Sequence, residues 1–395
     1  MGIELEETLS RELHEVADRL AVPPMPALPA HASSGGRRPS RRAWERPLLV
    51  AAATIVVLAV VGLLAAQEGR HDLQPAPSPR PSDTGWAVAS GTTVQLGSGK
   101  TVDLHRPVGF LYQTSAGVLV MFGSEKAPWA GSRRYALLSD DGATRTDFTI
   151  PVDDIQPGTD PTQPYVVYAQ ATDSPTTWDL VVRDLRVNKV VDTISVKGSY
   201  TWTDNTPEGV PDVFLSGSHV YISFDDTAVS VDLKTRKVTP NDVLPASEVL
   251  NIDGGKALSF GDMTFSDDGT IENTWQIVDI ATGDVVLKSD GADERHVTSV
   301  SPDGSHAIVS AGGCTGSSAC DKLPSTAFIY DLDTGDHVEL DAKDALLSWT
   351  AAGSVLRVTP TAGTVDVCGA DSATCESTKL DVGKSDVQLT DVMNW

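Results

Sequence analysis

The 395-residue chain is poor in cysteine, with four in all and none before Cys314. It is also poor in aromatic residues, at 6%. It contains no H-E-x-x-H pair and no G-x-S-x-G elbow, so neither a zinc protease site nor a hydrolase nucleophile turn is signalled. The eight histidines are scattered, and none pairs at metal-ligand spacing along one helix or strand. Gly97 to Thr101 ends like a phosphate loop, but Val94 stands where the first glycine belongs, so a hairpin turn is expected there. Asp331, Asp333 and Asp336 resemble the start of a calcium loop, yet its twelfth position is Ala342, and a turn is the better reading. The motifs therefore nominate no catalytic residue, no cofactor and no metal ligand.

Basic charge is scarce as well. The formal net charge is -24, from 30 Lys and Arg against 54 Asp and Glu. After residue 84 the chain holds 21 basic and 44 acidic residues, so almost all of the excess lies there. Such a surface repels nucleic acid and anionic lipid. It suits solubility, or contact with cations or a basic partner.

One long apolar run stands out, Pro47 to Ala66, with no charge and only Thr54 polar. As a helix, twenty residues span about 30 Å, the thickness of a bilayer's hydrocarbon core. Arg37, Arg38, Arg41, Arg42 and Arg46 precede it, whereas Arg70 alone follows closely. This asymmetry places residues 1–46 in the cytoplasm and residues 67–395 outside. The expected localisation is thus a cell membrane crossed once, N-terminus inside. A cleaved signal peptide is the competing reading, against which stand the length of the run and its 46-residue leader.

An exterior location agrees with the cysteines. Cys314 and Cys320 form one close pair, Cys368 and Cys375 another, each in a Gly/Ser/Ala-rich loop. Two small disulfides are expected, with a zinc site as the alternative.

Within the arm, Leu9, Leu13, Val16 and Leu20 fall on one stripe of a helix over residues 3–20, stopped by Pro23 and Pro24. An isolated helix of this length is marginal in water, so its stripe calls for a partner, a cytosolic protein being the candidate. The arm, basic stretch, span and outer domain together resemble membrane-bound anti-sigma factors of bacteria. That resemblance implies capture of a sigma factor by the helix. The arm lacks the His-x3-Cys-x2-Cys motif of the zinc-type members and is shorter than a full helical bundle. Residues 67–84 carry Pro75, Pro77, Pro79 and Pro81, which predicts an extended polyproline spacer.

From residue 85 the sequence repeats itself. A strand ending in a D-[LI]-x-T-G-like turn returns at Asp184, Asp232, Asp279 and Asp331, with weaker versions at Asp140 and Asp366. Strand-like runs such as VLVMFG (118–123), YVVYAQ (165–170), HVYISF (219–224) and HAIVSA (306–311) precede these turns. Short strands repeating every 40–50 residues describe four-stranded propeller blades. The fold class expected is all-β, a seven-bladed β-propeller over residues 85–395, with six and eight blades as alternatives, plus one transmembrane helix and the short N-terminal amphipathic helix. The first strands lack an inner partner and DVQLTDVMNW at the end is a lone strand, so joining the two closes the ring. The run VTSVSPDGSHAIVS, 297–310, resembles the blade signature of TolB-type propellers, and WD-repeat propellers are a more distant likeness. The resemblance implies fold rather than activity, and a loop face that binds proteins or peptides.

Aromatics at blade ends read more readily as plugs between blades than as ligand contacts. For a ligand rim the candidates are Trp129, Arg133 and Arg134 in one long loop and Tyr200 and Trp202 in another. The expected function is a non-enzymatic binding module for a protein or peptide outside the membrane. A signalling regulator with a cytosolic partner and an extracellular hydrolase or lyase are the alternatives, and no nucleic-acid partner is expected.

Overall fold

The computed structural model describes residues 85–123, 134–150, 157–200, 210–244, 249–265, 271–289, 295–311, 325–384 and 387–390. The predicted span 47–66, the helix 3–20 with Leu9, Leu13, Val16 and Leu20, and the spacer 67–84 lie outside them. Among the described residues no helix is long and apolar enough to cross a membrane.

Those residues form twenty-eight strands in seven four-stranded antiparallel sheets. The first sheet begins with β1 (Ala87–Ser90), β2 (Thr93–Leu96) and β3 (Thr101–Asp103). The second holds β4 (Val108–Thr114), β5 (Gly117–Phe122), β6 (Arg134–Leu138) and β7 (Thr144–Thr149). The third holds β8 (Gly158–Thr159), β9 (Tyr165–Ala171), β10 (Thr177–Asp184) and β11 (Lys189–Lys197). In the fourth are β12 (Val213–Ser216), β13 (His219–Ser223), β14 (Ala228–Asp232) and β15 (Lys237–Pro240). In the fifth are β16 (Val249–Asp253), β17 (Lys256–Phe265), β18 (Ile271–Asp279) and β19 (Val285–Lys288). The sixth comprises β20 (Arg295–Val300), β21 (His306–Ala311), β22 (Thr326–Asp331) and β23 (His337–Asp341). The seventh comprises β24 (Leu346–Trp349), β25 (Val355–Thr359), β26 (Thr364–Cys368) and β27 (Cys375–Lys379). Strand β28 (Val387–Leu389) then returns to pair antiparallel with β1, giving the order β28-β1-β2-β3.

The inner strands β28, β4, β8, β12, β16, β20 and β24 neighbour one another in a closed cycle. Seven blades around one axis result, and the alternatives of six and eight fall away. The predicted joining of the tail to the first strands is what completes the ring.

The core is divided among the seams between blades, because each sheet is apolar on both faces. In β1, Val88 packs toward the seventh blade with Leu356 and Val358, while Ala87 and Ala89 pack toward the second with Leu111 and Val120. One larger cluster, built on Tyr168, Leu180, Ile222 and Phe224, runs through the second, third and fourth blades. Trp178, Trp275 and Trp349 are buried, as plugs between blades would be. Outer strands are exposed in alternation or throughout, as in β15 and β27. They carry Lys189, Lys197, Lys237, Glu376 and Lys379, charges that discourage edge-to-edge pairing.

A buried polar network locks the closure. The Gln113 side-chain amide donates to Trp349 O at 3.1 Å and to Thr390 Oγ1 at 2.8 Å. Ser348 Oγ donates to Thr390 O at 2.6 Å, and Leu111 bridges Thr390 in parallel. Further out, Gln95 donates to Lys379 O at 2.9 Å and accepts from Asp381 N–H at 2.7 Å. Both ends of this blade are thereby fastened to the second and seventh blades.

Candidate functional site

In each blade the first-to-second and third-to-fourth strand turns leave at one end, and the remaining connections leave at the other. The first end is built from short, regular turns. Their geometry has a local cause: an Asp closing the third strand accepts hydrogen bonds from the next backbone amides. Asp232 Oδ1 accepts from Lys234 N–H at 2.8 Å and Thr235 N–H at 3.1 Å. Asp279 does the same with Ala281 and Thr282, at 2.9 and 3.1 Å. Asp331 accepts from Asp333 and Thr334, at 2.8 and 2.9 Å, so the turn reading of this acidic run holds. Asp184 accepts from Arg186 N–H at 2.8 Å and pairs with its guanidinium at 2.6 Å. The backbone amides of Thr334 and Asp333 hold the Asp331 carboxyl below the usual range.

Two of the weaker repeats differ from the expectation. At 138–148 the turn is closed by Asp141 rather than Asp140: Asp141 Oδ1 accepts from Ser139 Oγ at 2.5 Å and Ala143 N–H at 3.0 Å. Asp366 lies within β26, opposite Arg357, and not at a turn. The Gly97–Thr101 segment is a hairpin turn between β2 and β3, with Leu96 N–H donating to Lys100 O at 2.8 Å.

Nearer the axis, the inner turns meet one another. Asp160 is buried; its Oδ1 accepts from Thr162 N–H and Oγ1 at 2.6 and 2.5 Å, and its Oδ2 from Gly217 N–H at 2.5 Å. That carboxylate ties the third blade to the fourth. Gly255 N–H donates to Ser216 Oγ at 2.9 Å, tying the fourth to the fifth. Gly254 and Gly304 both have positive φ, 53° and 72°, and their backbones press together so closely that a Cβ on Gly254 would fall on Gly304 N. Asp253 stands in this ring, half-buried, with Asn251 Nδ2 donating to its Oδ2 at 2.5 Å. Burial, and then the Asp160 charge, push its carboxyl up to about 7, against the pull of Asn251. Protein surrounds it on most sides while water still touches it. A small cleft of about 30 Å³ lies beside the ring closure, lined by Trp86, Ser98, Gln113 and Asp140 among others.

The opposite end receives the long connections, between Phe122 and Arg134, Lys197 and Val213, and Ala311 and Thr326. Of the rim candidates, Arg134 and Tyr200 belong to this end. Arg134 opens β6 opposite Thr149, its side chain exposed. Tyr200 is half-buried, its ring edge-on to Trp178 with centroids 6.2 Å apart. Burial and the charges of Asp212 and Asp225 push its hydroxyl up to about 12. Trp129, Arg133 and Trp202 lie outside the described residues. Of the cysteines, Cys368 and Cys375 are disulfide-bonded across β26 and β27, and Cys314 and Cys320 lie outside the described residues.

A constellation the sequence did not reveal sits at the seam of the sixth and seventh blades. The ligating atoms of His306, Asp331 and Asp371 lie within 4.8 Å of one another. His306 and Asp331 are opposed across β21 and β22, and Asp371 comes from the turn after β26.

Closed ring, seven blades and a strand from the chain's end completing the first sheet together define a seven-bladed β-propeller. No family model matches the sequence, and no curated relative matches it. Solved structures do. Apo AztD from Citrobacter koseri is similar at 11% identity and a TM-score of 0.44, over 78% of this chain and 99% of that one. The Dos1 propeller is similar at 12% identity and a TM-score of 0.39, over 77% and 86%. A chain of the Mitotic Checkpoint Complex is similar at 11% identity and a TM-score of 0.42, over 80% and 89%.

Proposed function

We propose that the protein is anchored in the cell membrane by residues 47–66 and displays its propeller outside the cytoplasm as a non-enzymatic module that binds a protein or peptide. The observation carrying this reading is the unequal treatment of the two ends. One end is paved with short turns, several closed by an Asp that accepts from its own following amides. The other receives the long connections, and of the rim candidates Arg134 and Tyr200 stand at it. Recognition residues concentrate on loops held by a rigid frame. The test is photocrosslinking in intact cells from a benzoyl-phenylalanine at position 129 or 202, with position 235 on the short-turn end as control. A discrete protein adduct from the first two and none from the third is expected. Adducts from 235 alone, or none at all, would overturn the reading, as would a propeller inaccessible to protease added outside.

A second reading is favoured by the stripe Leu9, Leu13, Val16 and Leu20 behind an arginine-rich tether: the arm holds a cytosolic partner such as a sigma factor, and the propeller is its sensor. Pull-down with the full chain, with and without Leu13→Asp and Val16→Asp, tests it. A cytosolic protein lost in the double variant supports signalling; identical captures sink it.

A further inference from the structure

We propose that His306, Asp331 and Asp371 form a binding site for a divalent transition-metal ion of the zinc class, at the seam between the sixth and seventh blades. The argument starts from protons. Ser305 Oγ lies 2.7 Å from Asp303 Oδ1 and 2.7 Å from His306 Nδ1. The hydroxyl has one proton, and it goes to the carboxylate, which also accepts from Ser301 Oγ at 2.6 Å. His306 Nδ1 must then carry the proton it gives to Ser305. That leaves Nε2 as the ring nitrogen turned toward Asp371 Oδ1, 3.0 Å away. A cation shared between the two groups suits this separation.

A metal ion serves as that cation with residues already in place. Zinc with ligands at 2.0–2.1 Å in a tetrahedron holds neighbouring donor atoms about 3.4 Å apart, and six-coordinate ions hold them about 3 Å apart. The 3.0 Å separation of His306 Nε2 and Asp371 Oδ1 fits that edge, and rotation of the exposed Asp371 carboxylate lets the 4.8 Å cluster close. Asp331 spends Oδ1 on its turn amides, which leaves Oδ2 as its ligand atom. The Asp303–Ser305–His306 chain is the arrangement that fixes the tautomer and direction of a metal-binding imidazole. His306 is also anchored by its backbone, which donates to Ser301 Oγ at 2.9 Å. Its side chain is only 14% exposed, whereas that of Asp371 is 85% exposed, so the imidazole is fixed and one flank faces water, where an ion enters. One imidazole with two carboxylates suits zinc and its neighbours better than calcium, which prefers oxygen alone.

Calorimetric titration of the chelator-stripped full-length chain with zinc chloride is the test. Saturable uptake is expected that weakens at least tenfold in His306→Gln and in Asp371→Asn. Asp371 is too exposed for its substitution to unfold the blade, so that variant remains decisive if the first fails to fold. Ser305→Ala should weaken uptake about tenfold, since it frees the ring without removing a ligand. No saturable uptake, or uptake indifferent to both ligand substitutions, overturns the proposal. So does a ring-nitrogen NMR signature of doubly protonated His306 that persists at saturating zinc.

Discussion

Arg357 and Asp366 offer a sharp test of what holds a blade together. They face each other on β25 and β26, with Arg357 Nε 3.0 Å and its terminal nitrogen 2.9 Å from Asp366 Oδ2. Arg357 also donates to Asp341 O at 2.7 Å, reaching the sixth blade, and Ser377 Oγ donates to Asp366 from the other side. The Asp366 side chain is 4% exposed and that of Arg357 22%. Arg357→Ala leaves a carboxylate almost without water. Breaking a buried pair in this way costs about 3–5 kcal/mol. Ser377 stays as a donor and the missing guanidinium admits some solvent, so the lower end, about 3 kcal/mol, is expected here. At roughly 2 °C per kcal/mol for a large domain, the melting temperature falls by about 6 °C. The double variant Arg357→Met, Asp366→Leu removes both charges and keeps volume, and should lie within about 1 kcal/mol of the parent. Differential scanning calorimetry, or urea unfolding followed by tryptophan fluorescence, reads all of these. A single-variant loss below about 1 kcal/mol would refute the reasoning, and so would a double variant as unstable as the single.

Other outcomes follow from the same structure. Gly198→Ala places a methyl group into the ring of fully buried Phe224 and should cost about 1–3 kcal/mol, read as a lower urea midpoint at an unchanged slope. Replacing both Cys368 and Cys375 by Ser reopens a loop with a separation of 7, for which the chain-entropy relation gives about 2.5 kcal/mol, read by thermal melts with and without reductant. For Asp253, a carboxyl pushed up to about 7, the folded state binds more proton than the unfolded state between about pH 4 and pH 7. Its contribution therefore favours the fold at the acidic end of that window and is lost as pH rises through 7, by up to about 1.4 kcal/mol per unit. Asp253→Asn should raise the melting temperature at pH 8 and flatten its slope between pH 5 and 8; an unchanged slope counts against a raised carboxyl. Below about pH 4 the trend reverses, because the carboxyls of Asp279, beside Lys256, and Asp331, on its turn amides, are held low and lose that support on protonation.

The repeat was readable because its punctuation is local. An Asp that caps the following amides needs nothing beyond four or five neighbouring residues, so Asp184, Asp232, Asp279 and Asp331 could be located without knowing the blades. The pattern failed at Asp366, where the same letters precede a turn held differently: Gly369 N–H donates to Thr374 O at 2.9 Å and the disulfide crosses beside it. Inner strands were the hardest to see. β8 is two residues long and β28 three, and strands packed on both sides show no alternation to detect. The blade count had a range from length alone, and pairing of β28 with β1 settled it. His306, Asp331 and Asp371 could not be found by spacing, because two strands and a turn from separate blades bring them together. The helix 3–20 and span 47–66 rest on sequence pattern alone.

Closure by β28 also sets an order of events during synthesis. The sheet begun by β1 waits for a partner encoded almost three hundred residues later, so a ribosome must make all the intervening blades before the wheel can shut. Until then Val88 faces an open seam, and β1 offers a bare edge to any passing strand. A nascent chain built this way is exposed to mispairing for as long as its elongation lasts, and a helper that shields β1 during that interval would act on every molecule made.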